Sequence, residues 1–86
     1  MNVTTGTIVK LEKDDMIISS ARIIFAVIKG ENGEVMPIQW ANLPDEPVFG
    51  HTARELGMDF EDAWKNAELN MKVSFIFGIH GFSLVE

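Results

Sequence analysis

The chain has 86 residues, 47 % of them hydrophobic and 23 % charged, so one folded domain spanning residues 1–86 is expected rather than a disordered tail or two domains. Its formal net charge is −6, from 7 basic and 13 acidic side chains, and such a field disfavours generic binding to duplex DNA. The chain has no cysteine, which excludes disulfides, thiolate metal clusters and a thiol nucleophile.

The first residues, MNVTTGTIVK, lack the basic start and apolar run of a secretory leader. From Thr5 to Lys13 the side chains alternate, with Thr5, Thr7, Val9 and Leu11 on one side and Gly6, Ile8, Lys10 and Glu12 on the other. That is the period of a half-buried strand. Asp14 and Asp15 suit a turn, and Met16 to Lys29 reads as a long second strand, bent or bulged near Ser19 and Ser20. Within it Ile23 to Ile28 is apolar on both faces, as a mid-sheet strand is. This is also the longest apolar run, far short of the roughly 20 residues of a membrane helix, so a cytoplasmic location is expected.

Gly30-Glu31-Asn32-Gly33 is the clearest local signal, because an Asn-Gly pair between apolar runs suits a hairpin. Glu34 to Trp40 forms a third strand, which Pro37 pushes towards a sheet edge. Asn42 to Gly50, with Pro44 and Pro47, is a loop. Thr52 and Glu55 fit a capping box on a short helix that Gly57 closes. Asp59 then caps a second helix with an apolar stripe of Phe60, Ala63, Trp64, Ala67 and Met71. Met71 to Phe77 alternates again, Gly78-Ile79-His80-Gly81 turns, and Phe82 to Val85 is the last strand.

The resulting order, β-β-β-α-β-β, predicts a mainly β (α+β) domain: a five-stranded OB-like small barrel with Trp64 plugging one end. Two segments carry a resemblance. TTGTIVKLEKDD is similar to the opening strand of cold-shock and S1-type OB-fold domains, and NMKVSFIFGIHGFSLVE to their closing hairpin. The resemblance covers about a third of the chain and implies the fold. Those families stack bases on aromatic motifs of strands two and three; here the matching strands read SARIIFAVI and EVMPIQW, with only Phe25 and Trp40 aromatic.

A different local likeness lies in GHTARELGMDFEDAWKNAEL, Gly50 to Leu69, which resembles a helix-turn-helix of the winged kind. A reading helix would turn Asp59, Glu61 and Asp62 towards phosphate, which repels them, whereas at a helix N-terminus the same acids complement the macrodipole. The stretch is therefore read as structural. His51 and His80 show no ligand spacing, and Ser74 or Ser83 with His80 lacks a nucleophile elbow, so neither a metal, a cofactor nor a catalytic residue is expected.

What remains is a non-enzymatic binding module acting by protein–protein contact or self-association. Its acidic coat resembles that of small inhibitors or accessory factors of mobile elements. The candidate contact residues are Arg22, Ile24, Phe25, Met36, Gln39, Trp40 and Phe49, on strands two and three and the loop beyond. The rival expectation is a single-stranded DNA or RNA binder using the same face, with Phe25 and Trp40 stacking and Lys10, Lys13, Arg22 and Lys29 meeting phosphates. Helix-turn-helix DNA binding is the third.

Overall fold

The computed structural model describes residues 3–16, 21–42 and 51–85. Its first strand is longer than the alternation implied: β1 runs from Val3 to Met16. Gly6 and Ile8 face the core, but from Leu11 onward the inward positions are odd-numbered. The cause is a β-bulge, since Ile8 pairs with Ile28 while Lys10 pairs with Val27, leaving Val9 as the surplus residue. The expected single phase from Thr5 to Leu11 is therefore corrected. One extra residue exchanges the two faces of a strand and bends it.

The bend has a topological role. Before it, β1 pairs with β4 (Lys72–Ile76) through Val3 to Thr7; after it, β1 continues to Met16 with β2 (Ala21–Gly30) as its partner. Asn70, at φ 72°, and Met71 close the junction, where the Asn70 N–H donates to the Ile8 carbonyl at 2.8 Å and the Ile8 N–H to the Met71 carbonyl at 3.0 Å. Asn tolerates that left-handed backbone because its short side chain can bond locally. Asp14 and Asp15 lie in β1, paired with Ile23 and Arg22, so they form no turn. The expected irregularity at Ser19 and Ser20 lies outside the described residues.

β2 leads to β3 (Val35–Asn42) through the expected hairpin. Gly33 alone takes positive φ, at 88°, while its N–H donates to the Gly30 carbonyl and the Gly30 N–H donates to the Glu34 carbonyl. This is a three-residue loop with glycine in the left-handed place, not a two-residue turn needing positive φ at Asn32 as well. The sheet order is β3-β2-β1-β4-β5, with β5 at Ser83–Leu84, so β2 is interior and β3 is an edge, as Pro37 requires. No ladder joins β3 to β5 among the described residues: five antiparallel strands make one sheet that stays open.

Two short helices pack on the core side of the sheet. α1 (His51–Glu55) ends in a Schellman cap: Gly57, at φ 80°, donates to the Arg54 carbonyl and Met58 to that of Ala53. The helix already contains His51, so Thr52 sits inside its first turn rather than at its cap. α2 (Phe60–Asn66) starts where expected, Asp59 accepting from the Asp62 N–H, but it stops at Asn66. Met71 is therefore not on the helical stripe. Phe60, Ala63 and Ala67 are buried against Trp40, Ile24, Phe75 and Phe82, and Trp64 is half-buried beside them. Trp40 lies edge-on to both Phe60 and Phe82, at 5.3 Å between ring centres in each pair.

Candidate functional site

An antiparallel sheet with one face on the core leaves its other face to solvent, and strand parity decides which side chains reach it. On β2 the inward residues are Ile24, Ala26 and Ile28; on β3 they are Met36, Ile38 and Trp40. Ile24, Met36 and Trp40 are thus core residues, with Trp40 1 % exposed. The expectation that exposed Met36 and Trp40 make contacts is corrected by their burial. Phe25 and Gln39 point the other way and pair across the strands; Phe49 lies outside the described residues.

The four basic candidates divide by the same parity. Lys13 and Arg22 stand on the core side. Lys13 Nζ donates to the Trp64 carbonyl at 2.7 Å, tying the end of β1 to α2. Arg22 pairs with Glu61 and lies over the rings of Phe60 and Trp64, 5.5 and 5.1 Å from their centres. A guanidinium over two aromatic faces holds helix to sheet. Glu61 also accepts from Asn42, which accepts from Arg54, so the polar groups of the 370 Å³ cleft between β3 and the helices bind one another. That cleft is a joint.

Lys10 and Lys29 reach the outer face, and neither is ion-paired among the described residues. Beside them lies a groove of about 470 Å³ across β1, β2 and β3. Phe25, Val27, Pro37 and Gln39 form its floor, Lys10 and Glu12 one side, and Val9 and Leu69 its lip. Val9 is 43 % and Leu69 55 % exposed. Val9 reaches the lip because the bulge displaces it, and Leu69 because the Asn70 turn does.

Sequence reasoning missed Val9, Val27, Pro37, Leu69 and Lys72 as surface-forming residues. For Val27, Pro37 and Lys72 a signal existed, since each alternates with core neighbours; for Val9 and Leu69 none did. It also missed His80. Its Nδ1 accepts the Gln39 N–H at 3.0 Å, bridging the β4–β5 turn to the free edge of β3 at the groove's margin.

Among the described residues no group of three or more metal-ligating side chains converges, and no helix is long and apolar enough to cross a membrane. Ser74 and Ser83 pair across β4 and β5, with Ser74 flanked on its other side by Thr5. Comparison of the chain with family models, with curated proteins and with solved structures finds no match.

Proposed function

We propose that the chain is a small OB-like, non-enzymatic binding module that works by protein contact through the outer face of β1, β2 and β3. The observation that carries this reading is the apolar groove across β1, β2 and β3, which no helix among the described residues lines. Its floor of Phe25, Val27 and Pro37 is built from side chains that a lone domain would gain nothing by exposing together. The strand order supports the OB-like part: β3-β2-β1-β4-β5 is what a five-stranded Greek-key barrel gives when cut between its third and fifth strands. The two helices come between β3 and β4 in chain order, which also supports the OB-like reading.

The test is photo-cross-linking in native cell extract from a reactive residue placed at Val27 or Gln39, with Lys65 on the wet side of α2 as control. Protein adducts from Val27 and Gln39, absent from Lys65 and resistant to nuclease, support the reading. Equal labelling from all three positions refutes it.

A second reading, single-stranded nucleic-acid binding, is favoured by one observation: Phe25, Lys10 and Lys29 share the outer face. Anisotropy of labelled oligothymidylate at low salt tests it. Binding that weakens with salt and is lost on Phe25→Ala supports it.

A further inference from the structure

The chain is acidic as a whole, yet its open sheet face gathers lysines that have no ion-pair partner among the described residues. Thr7 pairs with Lys29 on one side and with Lys72 on the other, so Lys29, Thr7 and Lys72 form one row across β2, β1 and β4. Thr7 points outward because Gly6 and Ile8 point inward, and its two partners must share its side. With strands about 4.8 Å apart, the two lysine Cα atoms are roughly 10 Å from each other. Lys10, beyond the bulge and opposite Val27, lies on the same face at the head of the groove. All three lysines are exposed, and none has a carboxylate partner among the described residues. The acids of this face, Glu12 and Asp14, stand together at the far end of β1 opposite Phe25 and Ile23. Glu31, in the hairpin loop, and Glu34, whose carboxylate lies beside Gly30, are the acids nearest Lys29 in the chain, and neither is ion-paired with it.

Resting on the protein-contact reading above, we propose that the partner segment is acidic: an extended stretch that lays aliphatic side chains into the groove and carboxylates on Lys10, Lys29 and Lys72. Charge complementarity argues this directly, since the surface next to the groove is positive on a negative molecule, and a basic partner would meet those lysines first. The aliphatic lining argues for a polypeptide over a nucleic-acid strand. Phe25 is the one aromatic ring among the groove-lining residues, too little for the successive base stacking that holds a single strand. The acidic coat elsewhere keeps the same partner from settling on other faces.

The experiment uses three labelled probes of equal length: a peptide alternating glutamate with leucine, its lysine-for-glutamate counterpart, and oligothymidylate. Each is titrated into the intact chain at low salt, with amide shifts of Val27 and Gln39 followed by NMR as a readout of groove occupancy. The expected result is binding of the acidic peptide with shifts at both amides, and a loss of about tenfold or more in the Lys29→Glu, Lys72→Glu double variant. Both sites are exposed on strand surfaces, so the variant should fold, which its unchanged thermal midpoint confirms. Preference for the lysine peptide, with the same amides shifting, overturns the acidic-partner inference while leaving the protein-contact reading standing. Tighter binding of oligothymidylate, or no shift at Val27 and Gln39 with any probe, overturns both.

Discussion

Replacing Gly6 by alanine tests the packing that holds β1 between β2 and β4. A Cβ at Gly6 would lie 2.7 Å from Ile28 Cγ2, 2.8 Å from the Lys29 carbonyl oxygen and 2.9 Å from Phe75 Cε1. Two of these neighbours are buried side chains at 0 % exposure, and the third is backbone in the interior ladder, so no flexible group can step aside. Overpacking of this kind costs about 1–3 kcal/mol, and the smaller entropy of an unfolded alanine chain returns only about 0.4–1 kcal/mol. A net loss of about 1.3 kcal/mol would lower the melting temperature of a domain this size by roughly 5–10 °C. Urea unfolding followed by tryptophan fluorescence reads it: the midpoint should fall with the slope unchanged. Gly33→Ala is the companion, because its Cβ meets nothing within 4 Å but sits at φ 88°. Its cost is conformational, about 1 kcal/mol. A loss below about 0.5 kcal/mol for Gly6→Ala would refute the close approach of the three strands argued from these contacts.

Burial of Trp40 predicts that Trp64→Phe leaves a protein whose remaining tryptophan emits in the blue and resists iodide; ready quenching would place Trp40 outside. Arg22→Met should lose about 1 kcal/mol of stability, from two cation–π contacts and a half-exposed ion pair, because Arg22 is a fastener of α2. Unchanged stability by urea unfolding would free it for a ligand role. His80→Ala should speed hydrogen exchange at the Gln39 amide while costing no more than about 1 kcal/mol, since water can replace the ring at that exposed position. Unchanged exchange would show that the imidazole does not hold the strand edge.

Much of the architecture was legible because it depends on residues with few backbone choices. Gly33 and Gly57 mark left-handed positions, Pro37 marks an edge, and Asp59 marks a helix start; each acts through its own peptide unit, so no tertiary information is needed. The bulge at Val9 was not legible, since a run of alternating residues looks regular in either phase and only the partner strand reveals the surplus. The candidate site suffered from a different error. Ile24 and Phe25 are neighbours in one strand and cannot share a face, and Trp40 alternates with Pro37 and Gln39 in the inward phase of Met36 and Ile38. Parity puts Arg22 on the core side and Lys29 outside, and the bulge does the same for Lys13 and Lys10; what β1 and β2 alone did not reveal is that α2 occupies Lys13 and Arg22 through the Trp64 carbonyl and the Glu61 carboxylate.

The edge of β3 carries a consequence for how copies of the chain behave when concentrated. Alternate residues of an edge strand turn their backbone groups outward, and the Gln39 N–H shows that these are Val35, Pro37, Gln39 and Ala41. Pro37 has no N–H to offer, and that of Gln39 is already held by His80. A strand arriving from another molecule would therefore find donors only at the two ends of the edge. At about 0.5–1.5 kcal/mol net for each hydrogen bond forgone, the intruding strand gives up roughly 1–3 kcal/mol, or about five- to two-hundredfold in affinity for strand addition. Stacking of copies edge to edge is thereby discouraged by one imino acid and one imidazole, without a single added charge on that edge.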